Sequence, residues 1–352
     1  MAASNPKAIY QVVVVAPVFD DAVVAARLLE NLATAFAGSD VVWSALLVDD
    51  GSPIPLARQL CPPAGVTVDV LRLRRNVGHQ RAIALGAAYV QECIPCDAML
   101  VMDADGEDRP EDAVALVARC RERAGERIIF AERTRRSESA LFQLFYRLYQ
   151  VLHWMLTGVR VRVGNFSVVP RRHLAALVTL PALWNHYAAA IFQARLPREL
   201  IPTARGLRYS GRSKMNFVAL VVHGLQAISV FLEVVAVRLL LSVCALVGGT
   251  GALLAAVLLA RMAGGFAVAA WMPYLCGGLF LASLGLAFGC FALTLGSLAQ
   301  RNRLDFLPVR DYRLFVEGIQ RVSAERDAPA EFLTHRSDRT NDVAHSESAL
   351  RP

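Results

Sequence analysis

Lysine is nearly absent from this sequence of 352 residues: Lys7 and Lys214 stand alone, so the 37 basic residues are almost all arginine. Cysteine is sparse too. Its seven residues (Cys61, Cys93, Cys96, Cys120, Cys244, Cys276, Cys290) are scattered, three of them in the apolar C-terminal part, which argues against a disulfide framework. Cys93-Ile-Pro-Cys96 has the spacing of a redox motif, but no second pair accompanies it for zinc, and it reads as a structural loop before a strand. Neither zinc-finger spacing nor an aromatic RNA-reading signature occurs, so the net charge of +7 is not assigned to nucleic acid. A signal-peptide pattern is also missing, because the apolar run 12–15 is short and meets Pro17 and Asp20-Asp21.

Apolar residues are abundant. At 55% hydrophobic content and a mean hydropathy of +0.41, part of the chain is expected in a membrane. Arginine-rich charge suits an anionic lipid surface or phosphate-bearing substrates. Residues 239–260 carry no charge between Arg238 and Arg261, and at 1.5 Å per residue they reach about 33 Å, enough to cross a bilayer. A second uncharged run, 273–299, precedes Arg301 and Arg303; its glycines suit close helix packing. The short connection forces a hairpin. With one cation in that connection and several on the flanks, both termini and the catalytic part are expected in the cytoplasm, at an inner or plasma membrane. Residues 215–237 are apolar with isolated polar positions and read as interfacial amphipathic helices. The segment 301–352 is expected to be cytoplasmic and, from about 324, disordered, because it lacks periodicity and is rich in Ser, Asp, Arg and Ala.

The N-terminal part alternates. Residues 11–16, 41–48, 66–73, 98–102 and 127–131 read as strands, and 22–36, 80–90 and 111–123 as helices, which predicts a largely parallel sheet covered on both faces. Acids cluster where strands end: Asp20-Asp21, Asp49-Asp50 and Asp103-Ala104-Asp105. Open α/β sheets bind ligands at that edge, and carboxylates so concentrated repel unless a cation or a nucleotide engages them. Two acids at i, i+2 suit one hard divalent ion such as Mg²⁺ or Mn²⁺, which commonly bridges phosphates.

Four ordered motifs resemble glycosyltransferase family 2: Ala-Pro-Val-Phe-Asp-Asp (16–21), Val-Asp-Asp-Gly-Ser (48–52), Arg-Asn-Val-Gly-His-Gln-Arg-Ala (75–82) and Met-Asp-Ala-Asp-Gly-Glu-Asp-Arg-Pro-Glu (102–111). Within that family the chain looks most similar to the polyprenyl-phosphate sugar transferases of the dolichyl-phosphate mannosyltransferase-like group, over roughly residues 10–300. The resemblance implies a GT-A fold (Rossmann-like, mostly parallel sheet) over residues 10–214, after an N-terminal tail of residues 1–9. It also implies an NDP-sugar donor and a divalent metal. Carried over residue by residue, Asp50 would meet the nucleotide base, Asp21 the ribose or base region, and Asp103 with Asp105 the metal and diphosphate. Pro17, Phe19, Asn76, Gly78, Arg81 and Ala104 complete the implied donor set. Phe19-Asp20-Asp21 departs from the family's usual Tyr-Asn-Glu and shortens the acid.

On the acceptor side the resemblance implies a phosphate contact for Arg133, and an acceptor loop for the Arg-x-x-Gly-x-Ser-Lys core, 208–214. Arg208, Ser213 and Lys214 offer two cations and a hydroxyl that together bind several phosphate oxygens. Asn165 and the stretch Trp184-Asn185-His186-Tyr187 stand where relatives carry acids, so no carboxylate base is present there. A lipid phosphate, already ionised near neutral pH, needs none; His186 could orient it. Asp105, Arg133, Arg208 and Lys214 are therefore the expected catalytic set. The expected function is inverting transfer of a sugar from a UDP- or GDP-sugar to polyprenyl phosphate, with the membrane as partner and homo-oligomerisation open. Two rivals are transfer to a hydroxyl of a glycolipid or polysaccharide, which should need a carboxylate base, and a non-catalytic scaffold that only binds nucleotide-sugar.

Overall fold

In the computed structural model the described residues are 9–133, 140–159, 163–209, 217–263, 269–300 and 306–323. Eight strands form one sheet: β1 (Tyr10–Val18), β2 (Val41–Asp49), β3 (Thr67–Leu73), β4 (Ala98–Val101), β5 (Ile128–Arg133), β6 (Val163–Pro170), β7 (Arg198–Thr203) and β8 (Val316–Val322). Their order is β7-β5-β6-β4-β1-β2-β3-β8. Four pairings are parallel (β1 with β2 and β4, β2 with β3, β5 with β7) and three antiparallel, so the sheet is mixed and mostly parallel. The sequence pattern places β5 directly after β4, but β6, which it does not reveal, lies between them and runs antiparallel to both.

Among the described residues eleven α-helices accompany the strands: α1 (Ala22–Phe36), α2 (Leu56–Gln59), α3 (His79–Cys93), α4 (Pro110–Glu122), α5 (Ala140–Thr157), α6 (Arg171–Val178), α7 (Tyr187–Gln193), α8 (Phe217–Ser229), α9 (Leu232–Met262), α10 (Met272–Gln300) and α11 (Pro308–Asp311). Alternation along β1 divides its side chains between two cores. Val13 and Val15 join the cluster under α3, α6 and α7, whereas Val12, Val14 and Ala16 join the one under α1 and α4. Gly86 lets α3 lie close to the sheet; a Cβ there would stand 2.8 Å from methyls of both Val15 and Val48. None of the seven cysteines is in a disulfide.

The chain winds from β1 outward through β2 to β3, then returns to the other side of β1 as β4. That reversal is a topological switch point, where the loops after β1 and β4 diverge and leave a crevice. Asp20-Asp21 and Asp103-Ala104-Asp105 sit at its two sides.

α9 and α10 pack against each other and are long and apolar enough to cross a membrane. α9 begins at Leu232, so residues 232–237, read from the sequence as interfacial, are continuous with the first apolar run. Arg238 lies inside α9 and donates from Nη1 to the carbonyls of Met155 (2.8 Å) and Trp154 (3.4 Å), the exposed C-terminal end of α5. A cation there complements the partial negative charge of a helix end. After α10 the chain comes back: β8 pairs antiparallel with β3, and Tyr312 is buried against α3. These residues lie beyond the range 10–214 expected for the catalytic domain and yet complete its sheet.

Candidate active site

The acids at the end of β2 divide the work between them. Asp49 is wholly buried and accepts from Ser52 N (2.9 Å) and Leu56 N (3.1 Å), closing the turn after the strand. Asp50 accepts Val77 N at 2.7 Å and Gly78 N at 3.0 Å, so its carboxylate anchors the loop before α3. Burial pushes the Asp50 carboxyl above the usual range, while those two N–H groups hold it down in part. Two of its lone-pair directions remain for another donor. Gly51 makes this approach feasible. It has φ +74°, and a Cβ would lie 2.6 Å from backbone atoms of Arg75 and Asn76. Gly78 also has positive φ, and Asn76 is exposed beside it.

After β1, Pro17 is buried and Phe19 is 43% exposed. Asp20 adopts φ +51° and donates its N–H to Ser52 Oγ at 2.9 Å, which ties this turn to the one after β2. Asp21 occupies the N-cap of α1 without capping it through its side chain. Arg81 lies with its guanidinium 5.1 Å from the Trp184 ring centroid.

The turn after β4 is the most densely bonded. Asp108 accepts the Asp103 N–H at 2.9 Å, Asp105 Oδ1 accepts the Glu107 N–H at 3.0 Å, and Asp103 Oδ1 lies 3.0 Å from His79 Nε2. Burial alone would disfavour the charged imidazole of His79, but the carboxylates of Asp103, Asp108 and Asp105 outweigh it and raise its pKa. Gln80 Nε2 donates to Asn165 Oδ1 (3.1 Å) and its Oε1 accepts Tyr187 N (2.8 Å), while Asn165 Nδ2 stands 3.0 Å from His79 Nε2. So Asn165, noted in the sequence only for the acid it replaces, is the junction of a polar network. Burial, then the neighbouring carboxylates, raise the Asp105 pKa against the Glu107 N–H and Arg208.

Residues 205–209 lie across this turn. Gly206 N donates to Glu107 O and Tyr209 N to Asp105 O, both at 2.9 Å. Arg208 Nη2 is 3.0 Å from Asp105 Oδ2 and its Nε donates to Glu107 Oε1 at 2.7 Å, while Arg205 donates to the same Glu107 oxygen. The Tyr209 ring covers Gly106, where any Cβ would be 2.8 Å from it. Glu107 is thus the buried hub of an ion triad. Burial raises its pKa, yet Arg205 and Arg208 overcome that and hold it below the usual carboxylate range. Glu107 carries no signal in the sequence beyond its place in the acid-rich turn Asp-Ala-Asp-Gly-Glu-Asp.

His186 is buried at 5% exposure and its Nδ1 accepts Ala189 N at 3.3 Å, the N-cap of α7. Its ring lies 4.7 Å from that of His223 on α8, and burial keeps it neutral, with a pKa of about 3. Only Nε2–H remains to donate. Arg133 ends β5, but its side chain lies outside the described residues, as do Ser213 and Lys214 entirely.

A divalent ion fits the donor set in part. Asp103 and Asp105 supply hard carboxylate oxygens on either side of the small Ala104, and Mg²⁺ typically takes one or two carboxylates and completes its shell with substrate phosphates and water. Among the described residues no cluster of three or more metal-ligating side chains exists, so the protein would furnish only part of the coordination.

A mostly parallel mixed sheet with acids at its switch point, followed by two apolar helices, is an α/β fold of the GT-A kind. Residues 13–176 match the family model "Glycosyl transferase family 2", and that stretch of the chain is a domain of this family. The chain is 28% identical over 169 residues to "Uncharacterized glycosyltransferase YkcC" of Bacillus subtilis (strain 168), covering 45% of this chain and 49% of that protein. It is 28% identical over 225 residues to an undecaprenyl-phosphate 4-deoxy-4-formamido-L-arabinose transferase of Klebsiella pneumoniae, covering 60% and 64%. It therefore spans from about half to just under two thirds of the length of these relatives. Among solved structures it is similar to mannosyl-3-phosphoglycerate synthase from Rubrobacter xylanophilus (TM-score 0.45, 15% identity, 63% of this chain and 72% of that one). Glucosyl-3-phosphoglycerate synthase from Mycobacterium tuberculosis, with Mn²⁺ and UDP-glucose, gives TM-score 0.45 at 16% identity (65% and 81%).

Proposed function

We propose that this protein is a membrane-anchored glycosyltransferase that moves a sugar from a UDP- or GDP-sugar to polyprenyl phosphate with inversion. The observation that carries the proposal is the meeting of Arg208 with Asp105. A cation read as an acceptor contact stands on the turn read as the donor-diphosphate seat, so a phosphate acceptor and a nucleotide-sugar would share one small volume. The similarity to undecaprenyl-phosphate sugar transferases supports the lipid acceptor.

In this reading Asp50 and Asp21 engage the nucleoside, with Pro17, Phe19, Asn76, Gly78, Arg81 and Ala104 lining its seat. Asp103 and Asp105 would hold Mg²⁺ or Mn²⁺, which when bound draws charge from the departing diphosphate. Arg208, with Arg133, Ser213, Lys214 and the Nε2–H of His186, orients the lipid phosphate. Its oxygen attacks the anomeric carbon from the face opposite the nucleotide, the new C–O bond forms as the bond to the diphosphate breaks, and the NDP departs with the electron pair. No base is required, because the phosphate arrives ionised. That agrees with Asn165, an amide whose oxygen already accepts Gln80 Nε2.

β8 rejoins the sheet after α10, which supports a hairpin whose two ends lie on the catalytic domain's side. Arg238, Arg301 and Arg303 flank it against Arg261 at the connection, which favours the cytoplasmic side.

NDP release from UDP- and GDP-sugars in membranes containing polyprenyl phosphate tests the proposal. Asp105→Asn should lower turnover on the order of 100-fold or more while leaving membrane insertion intact. Wild-type-like turnover by that variant overturns the assignment of Asp105.

A further inference from the structure

The segment behind the apolar hairpin makes two connections to the loops of the crevice. The first is through the main chain. Phe315 O accepts Arg74 N at 2.8 Å, at the start of the loop whose Val77 and Gly78 N–H groups hold Asp50. The Arg75 guanidinium lies 5.9 Å from the Phe315 ring centroid.

The second is a relay of side chains. Glu317 Oε2, on β8, accepts Arg72 Nε at 2.7 Å. Arg72 in turn brings Nη1 to 3.6 Å from Asp49 Oδ2 and donates Nη2 to Ser52 O at 3.5 Å. Asp49 fixes the Ser52 and Leu56 N–H groups, and Ser52 Oγ accepts Asp20 N. The relay therefore runs from β8, across β3, into the turns after β2 and β1. Asp49 is fully buried, whereas the Arg72 side chain is 23% exposed. A partly exposed arginine has rotamer freedom that a second carboxylate restricts by engaging its fork. Without Glu317, Arg72 is free to turn outward, and the buried carboxylate would keep only its N–H partners.

Resting on the reading of this edge as the donor site, we propose that Glu317 is a positioning residue for nucleotide-sugar binding. It acts through Arg72 on the turns that carry Asp20, Asp21 and Asp50. The far end of the hairpin is thereby joined to donor recognition, and the C-terminal strand belongs to the active site's support.

β8 supplies a matched control. Arg321 makes a two-pronged ion pair with Asp69 on β3 (2.9 and 3.1 Å), bridging the same two strands three residues back from Arg72. The full-length protein in lipid nanodiscs is titrated with UDP and with GDP in the presence of Mn²⁺, and donor KM and kcat are measured in parallel. Glu317→Gln should raise the Kd of the nucleotide that binds, and the donor KM, about 3- to 10-fold with kcat within about twofold. Glu317→Asp, which keeps the charge, should recover part of that loss, and Arg321→Gln should leave both constants at the wild-type level. A wild-type Kd and KM in Glu317→Gln overturns the proposal. So does an equal shift in Arg321→Gln, because strand pairing alone would then explain it. Wild-type protein that binds neither nucleotide would overturn the proposed function itself, and this inference with it.

Discussion

Arg208 places one guanidinium between two carboxylates, with Nη2 3.0 Å from Asp105 and Nε 2.7 Å from Glu107. A planar fork suits that task better than a lysine ammonium, since each in-plane N–H keeps its own partner. The segment read as the acceptor side and the turn read as the donor side are consequently one electrostatic unit. A change to either acid should be felt by both.

Removing the hub of that unit tests this directly. Glu107→Gln should detach Arg205 and Arg208, costing about 1–3 kcal/mol because the site is largely buried. Limited proteolysis should cut near residues 205–209 faster than in the wild type. The pH dependence has a definite sign. The folded pKa of Glu107 lies below its ordinary value of 4.5, so its stabilisation is present above that value and is lost as pH falls through the lowered folded pKa. Acid melting curves of the Gln variant should therefore lack part of the wild type's loss of Tm below about pH 4.5.

Gly51→Ala should disturb the two loops that meet at Asp50. Positive φ and 2.6 Å approaches to the Arg75–Asn76 backbone leave a methyl group nowhere to go. A loss of about 2 kcal/mol or more is expected, read as a fall in Tm of several degrees. Nucleotide affinity should weaken in the same variant; an unchanged Tm with unchanged affinity would contradict the packing.

His186→Asn retains an N-cap acceptor but cannot be protonated. Burial depresses the histidine's folded pKa from 6.5 to about 3, so its contribution to stability is full above pH 6.5 and falls away as pH drops toward that value. Between about pH 6.5 and 4 the Asn variant should show a shallower decline in Tm than the wild type. Identical slopes would mean that the imidazole is not held neutral.

The parts of the fold visible in the sequence are those with a strong local period. The valine run of β1, the amphipathic α1 and the uncharged stretches of α9 and α10 announce themselves, and the acids at strand ends mark the crevice edge. β6 and β8 do not. Residues 163–170 mix Gly, Asn and Ser with valines, and 316–322 alternates only weakly, so neither stands out from a loop until a neighbouring strand offers its free edge.

The sequence by itself determined which chemistry is available: paired carboxylates at the ends of β2 and β4, arginines and two glycines in 205–212, and two runs long enough for a bilayer. Those follow from composition and spacing, and they need no knowledge of where the chain goes next. Tertiary structure alone decided which of these groups meet. It set Glu107 between Arg205 and Arg208, brought Asn165 beside both His79 and Gln80, gave the flanking Arg238 a second task as the cap of α5, and brought Glu317 back to Arg72. Each of those contacts joins residues far apart in the chain, so none has a local signal, and only the packing of the sheet and its helices brings them within hydrogen-bond reach.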